Sequence, residues 1–196
     1  MSTTPDTPRS HPLLILIRGL PGSGKSYLAH ALVDHFGDKH VLVLDPDAID
    51  KQSDAYKQHV KEMADEGLDA IYHPHRFLRA HAFKAIDDNK IIIWNQAFTN
   101  PGGFQRTVVA LQDYAAEHNT SLPMLVVEVE VTPETAKARI ADRVGKGGHD
   151  VPEDAWARFI KDYTSFADTY NTVAVHGEDD IKTSVATVLD AVAELA

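Results

Sequence analysis

The chain has 196 residues, 43% of them hydrophobic, which fits one soluble globular domain of ordinary size. It has no cysteine, which excludes disulfides, thiolate metal sites and cysteine nucleophiles and agrees with a reducing cytoplasm. A formal net charge of -10 disfavours an extended basic surface for DNA or RNA, though a few arginines in one cleft hardly register in that total, and no apolar run is long enough to cross a membrane.

Residues 1–12 carry Pro5, Pro8 and Pro12 among small polar residues, without the basic start and apolar run of a signal peptide. They read as a disordered lead to a single domain over residues 13–196, and the expected location is cytoplasmic. Leu13 to Ile17 forms a first buried strand. It runs into Gly19-Leu20-Pro21-Gly22-Ser23-Gly24-Lys25-Ser26, which fits G-x-x-x-x-G-K-[ST] in full, and Tyr27 to Val33 continues in a helical pattern. In this strand, loop and helix arrangement the glycines let backbone N–H groups turn in around a phosphate. Lys25 supplies charge to the β- and γ-phosphates of a nucleoside triphosphate, ATP or GTP, and Ser26 a hydroxyl to Mg²⁺. The helix is expected to reach about Phe36, with Gly37 at its end.

Val41 to Leu44 is a second short strand, stopping at Asp45-Pro46-Asp47. If it neighbours the first strand, both aspartates emerge beside the phosphate loop, one able to accept the proton of an attacking hydroxyl and the other to hold a metal-bound water. The structural alternative for Asp47 is a cap on a helix starting at Ala48 and Ile49. Helical spacing recurs from Asp54 to Gly67 and from Arg76 to Asn89, and Leu68 to His75 reads as the loop between them. His73 and His75 lack a nearby third ligand and read as polar loop residues rather than a metal site. Arg76 and Arg79, three apart, present one charged face to an anionic acceptor or to water.

Ile91 to Trp94 is a third strand that ends at Asn95, where many P-loop enzymes place an acid for the Mg²⁺ shell. Asn100 and Pro101 read as N-cap and first residue of a helix that continues from Phe104 to about His118. Leu122 to Val131 is the fourth strand, and Thr132-Pro133 caps the next helix in the same manner. That helix carries Arg139 and Arg143 on one face and leads into a glycine-rich stretch, so residues 139–152 read as a lid whose arginines reach the transferring phosphoryl group. Such charge is worth ~10³–10⁵ in rate where it acts as an arginine finger. Asp150 and Glu153 fit a capping box for a helix through Phe166. Thr172 to Val175 and Ile181 to Leu195 supply the fifth strand and a closing amphipathic helix. Strands and helices alternating in this way predict an α/β fold, a doubly wound five-stranded parallel sheet with helices on both faces and a lid.

Arg18 with Gly19 to Ser26, Asp47 after the second strand, Asn100-Pro101 after the third, and the arginine-bearing helix leading to Gly147-Gly148-His149-Asp150-Val151-Pro152 resemble the zeta-toxin-like and polynucleotide-kinase-like P-loop kinases over roughly Leu13 to Phe166. The resemblance implies a nucleoside-kinase-like P-loop NTPase fold. It makes Asp47 the base toward the acceptor hydroxyl, Arg139 and Arg143 contacts to ATP phosphates, and Arg76 an acceptor-binding residue. The chain departs from the family at Asn95, which leaves Ser26 and Asp45 to hold Mg²⁺. It departs again at Asp50, where a basic residue often stands and where an acid would repel a phosphate-rich acceptor.

Taken together, the residues and the resemblance predict a kinase that moves the γ-phosphoryl group of ATP or GTP to a hydroxyl of a small molecule, a nucleotide sugar if it acts as zeta toxins do. The alternatives are a polynucleotide 5′-hydroxyl kinase, which the net charge disfavours, and a nucleotide-binding switch or interaction module without kinase activity. A zeta-type toxin would also imply an antitoxin protein as partner. No membrane partner is expected.

Overall fold

The computed structural model describes residues 11–147 and 150–195. Most of the expected disordered lead, and Gly148 and His149 of the expected lid, lie outside the described residues.

The elements in chain order are β1 (Leu13–Arg18), α1 (Lys25–Phe36), β2 (Val41–Leu44), α2 (Asp54–Asp65), α3 (His73–Asp87), β3 (Ile91–Asn95), α4 (Pro101–Glu117), β4 (Met124–Glu130), α5 (Pro133–Gly145), α6 (Glu153–Asp162), β5 (Thr172–His176) and α7 (Ile181–Ala193). The strands form one parallel sheet in the order β2-β3-β1-β4-β5. Every residue of β1 is buried, as expected of a central strand covered on both faces. Its side chains alternate between two cores. Leu14 and Leu16 join Trp94, Leu78, Ile86 and Phe104 under α3 and α4, and Leu13, Ile15 and Ile17 join Leu28, Leu32 and Val188 under α1 and α7. A third, smaller core of Leu20, Ala136, Ile140 and Trp156 holds α5 and α6 against the phosphate loop.

Local caps explain where several helices start. The Asn100 side chain accepts from the Gly103 N–H at 3.0 Å, and Thr132 Oγ1 accepts from the Thr135 N–H at 3.1 Å, with Pro101 and Pro133 as the first helical residues. Gly37, at φ 86°, closes α1 with its N–H on the Val33 carbonyl.

Four expectations need correction. β3 lies between β1 and β2, so Asp45 is one strand removed from the phosphate loop. No α-helix starts at Ala48: Pro46–Ala48 is a single 3₁₀ turn capped by Asp45, whose Oδ1 accepts from the Asp47 N–H at 2.8 Å. α3 starts at His73 rather than Arg76, because Pro74 suits a first turn, and His73 is buried with Nε2 3.1 Å from the Leu68 carbonyl oxygen. The capping box at Asp150 does not form. Asp150 Oδ1 instead accepts from the adjacent Val151 N–H at 2.7 Å, and α6 ends at Asp162, short of Phe166. Among the described residues no helix is long and apolar enough to cross a membrane, and no group of three His, Asp or Glu residues is arranged to hold a metal.

Candidate active site

The carboxyl end of β1 turns at once into the phosphate loop, and Gly24, at φ 106°, starts α1. Only a residue without a side chain fits at Gly22, also in the left-handed region at φ 80°, where a Cβ would lie 2.5 Å from the Ala136 carbonyl oxygen of α5. The loop and the arginine-bearing helix are thereby in backbone contact. Lys25 Nζ donates to the Gly19 and Leu20 carbonyls at 3.0 and 2.9 Å. Burial lowers its pKa to about 8, against Asp45 and Asp47, which hold it up, and with Arg143 adding to the depression.

Asn95 supplies the connection that the strand order withholds. Its Nδ2 donates to Ser26 Oγ at 3.0 Å and to Asp45 Oδ2 at 2.7 Å, spending both hydrogens to tie β2 to the phosphate loop. Its buried Oδ1 has no hydrogen-bond partner among the described residues. Burial raises the Asp45 pKa, opposed by the Asp47 amide, with the Asp47 charge adding to the rise and the Asn95 and Lys25 contacts opposing it. Ser26 Oγ and the Asp45 carboxylate are hard oxygen donors of the kind that suits Mg²⁺, and the Asn95 amide links them through Nδ2, which faces both.

These groups open onto a cleft of about 1520 Å³. Lys25, Ser26, Asp45, Asp47, Arg139 and Arg143 line it together with residues of α3 and of the first turns of α4. Arg139 is anchored in place: Nη2 donates to the Gly177 carbonyl at 2.8 Å and Nη1 to the Ser23 carbonyl at 3.3 Å. Behind it a second cavity of about 380 Å³ lies between Tyr27, Arg139 and the Gly177–Asp179 loop after β5. Gly24, Tyr27 and Arg139 line both spaces, so the small cavity continues the cleft past the phosphate loop.

A profile described as AAA domain (AAA_33) matches residues 14–166. The chain belongs to this AAA-domain family. A 75-residue stretch is 36% identical to uridine kinase from Geobacillus kaustophilus (strain HTA426), covering 35% of this AAA-domain chain and 36% of that protein, so the chain spans about a third of the length of this curated relative. Among solved structures, a gluconokinase from Sinorhizobium meliloti 1021 is similar at TM-score 0.59 and 18% identity over 96% of this chain and 95% of that one. Deoxyadenosine kinase from M. mycoides is similar at TM-score 0.52 and 17% identity over 92% and 99%. At these identities the structures establish the fold, a P-loop NTPase fold of the kinase type.

Within the AAA-domain chain, Pro21, Gly22, Gly24, Lys25, Ser26, Asp45, Asp47, Arg76, Arg139 and Arg143 all line the large cleft. Gly19, Leu20 and Ser23 do not: Leu20 packs into the small core and Ser23 is fully buried. Asp50 does not line it either. Its carboxylate accepts from the Gln52 N–H at 2.9 Å, whereas Lys51 faces the cleft, so the expected repulsion of a phosphate-bearing acceptor at Asp50 is absent from the cleft wall. Arg106 and the Gly177–Asp179 loop escaped the sequence reading. The carboxyl end of the last parallel strand was the available signal for the loop. Arg18 is a structural residue. Fully buried, it pairs with Glu128, donates to the Thr164 carbonyl at 2.7 Å and lies over the Phe166 ring at 3.6 Å, while Glu128 Oε1 accepts from the Phe166 N–H at 2.8 Å. Tyr163, at 4.3 Å from Arg18, has its ionisation pushed up to about 12 by burial against the Arg18 charge.

Proposed function

We propose that this chain is a P-loop kinase that transfers the γ-phosphoryl group of ATP or GTP to a hydroxyl of a small molecule. One observation carries the reading: Asp47 shares a single cleft with Lys25, Ser26, Arg139 and Arg143, so a hydroxyl held at Asp47 faces a triphosphate held at the loop. The phosphate-loop amides and Lys25 hold the β- and γ-phosphates. Ser26 and Asp45 would hold Mg²⁺, which when bound would supply positive charge to offset that of the triphosphate. The Asp47 carboxylate accepts the acceptor's hydroxyl proton as the new O–P bond forms and the bond from the γ-phosphorus to the β–γ bridging oxygen breaks. The nucleoside diphosphate leaves with the electron pair, and Arg139 and Arg143 offset the charge that develops. The cavity at Tyr27 and the Gly177–Asp179 loop is the natural place for the donor's base, because it continues the cleft beyond the phosphate loop.

Similarity to proteins named for uridine, gluconate and deoxyadenosine supports a small acceptor over a nucleic-acid end, as does the net charge of -10. A nucleotide sugar, as in zeta toxins, belongs among the acceptors to test, and an antitoxin partner follows only if that acceptor is the substrate. The nucleotide-binding switch is the second reading, favoured by the neutral Asn95 at the end of β3. The deciding experiment is nucleoside diphosphate release from Mg·ATP and Mg·GTP across nucleosides, sugar acids, nucleotide sugars and 5′-hydroxyl oligonucleotides, with Lys25→Ala and Asp47→Asn alongside. The kinase reading expects one small acceptor to raise turnover in the wild type and in neither variant. Nucleotide binding with no acceptor-dependent turnover would transfer the weight to the switch.

A further inference from the structure

Where α3 and α4 line the cleft, it is built from two helix starts. α3 and α4 each lead into a strand of the parallel sheet, so their first turns lie at the carboxyl ends of the strands and point positive ends toward the cleft. Arg76 and Arg79 of α3 and Arg106 of α4 line the cleft here, with His75 near Arg79. In a chain with 29 acids against 19 lysines and arginines, none of these three arginines forms an ion pair with a carboxylate among the described residues. The acids that line the cleft among the described residues are Asp45, Asp47 and Asp150, and none of them pairs with these arginines. Burial and the neighbouring Arg76 charge both lower the Arg79 pKa, and burial and Arg79 lower that of His75, so these cations crowd one another without a compensating anion. Guanidinium groups gathered in this way match the paired oxygens of a phosphate or carboxylate.

We infer that the acceptor carries its own oxyanion, a phosphate or a carboxylate, which Arg79 and Arg106 hold with Arg76 at the α3 and α4 end of the cleft while the acceptor's hydroxyl faces Asp47. The position of the hydroxyl rests on the kinase reading. The anion site does not.

Two measurements separate them. The first is the thermal midpoint of the intact chain titrated with inorganic phosphate and, separately, acetate, each against sodium chloride at matched ionic strength, in wild type, Arg79→Gln and Arg106→Gln. Any response of the phosphate loop is common to all three proteins, so the difference between them reports the arginine site. The wild type is expected to gain more from the oxyanion than either variant, each variant being first shown to keep a cooperative transition in chloride. Equal gains in all three proteins, or none in any, would overturn the site. The second measurement compares matched acceptors, a nucleoside against its 5′-monophosphate and glucitol against gluconate. The inference expects the charged member of one pair to have a KM at least about tenfold lower, and Arg79→Gln to raise that KM alone, while the pair that responds names phosphate or carboxylate. Turnover of neutral and charged members alike would overturn the inference and leave the kinase standing. An arginine-dependent oxyanion response with no turnover of any acceptor would sink the kinase and leave the site.

Discussion

Lys25 shows how a single side chain links the local fold to ligand chemistry. Its ammonium is buried and satisfied by its own loop carbonyls, and burial brings its pKa from 10.5 to about 8. Between those two values the unfolded chain binds more protons than the folded one, so this group makes stability rise with pH across that window. A polyphosphate in the loop opposes the depression by favouring the charged form. Nucleotide binding is therefore expected to take up a fraction of a proton between about pH 8 and 10.5. Calorimetric titration in two buffers of different ionisation enthalpy reads this directly, and the uptake should vanish in Lys25→Met. Asn95 works at the same scale. It looked like a missing acid in the sequence, because the acid it serves, Asp45, is 50 residues away and reaches it only through the strand order. An aspartate at 95 would set two carboxylates against each other at the distance where Asn95 now donates, which is the physical sense of the neutral residue.

At the scale of elements, what was legible in the sequence was what is local. Asn100-Pro101 and Thr132-Pro133 start α4 and α5 as expected because a cap and its N–H are three residues apart. The phosphate loop was legible because its motif contains its own turn and helix start. What failed was what depends on distant packing or on competition between nearby acceptors. β3 inserted between β1 and β2, and the Asp150 carboxylate took the adjacent N–H in place of the expected box. The Arg18–Glu128 pair belongs to the same non-local class, 110 residues apart along the chain, and clamps the segment after α6 to the central strand. Arg18→Ala leaves the Glu128 charge buried without its partner, and it is expected to cost about 3–5 kcal/mol. Urea denaturation checks this, and the Arg18→Met and Glu128→Leu double variant should recover part of the loss, since it removes both charges together. Little change in Arg18→Ala would mean that water reaches Glu128 and that the clamp is weak.

At the scale of the whole molecule, a net charge of -10 coexists with one cleft where Lys25, Arg76, Arg79, Arg106, Arg139 and Arg143 converge. A net charge of that sign opposes a polyanion, whereas a cleft lined by these cations suits a small anion, and that contrast is the physical argument for a small acceptor. The parallel sheet produces the convergence, because it delivers the ends of β1, β2 and β3 and the starts of α1, α3 and α4 to the same side. The claim that this convergence is an active site for phosphoryl transfer turns on Asp47. The most direct measurement is the pair of nucleotide Kd and acceptor-dependent kcat for Asp47→Asn beside the wild type. The account predicts a nearly unchanged Kd with kcat lowered by about 10²–10⁴, the range for loss of a general base. An Asp47→Asn protein that turns over like the wild type would contradict it.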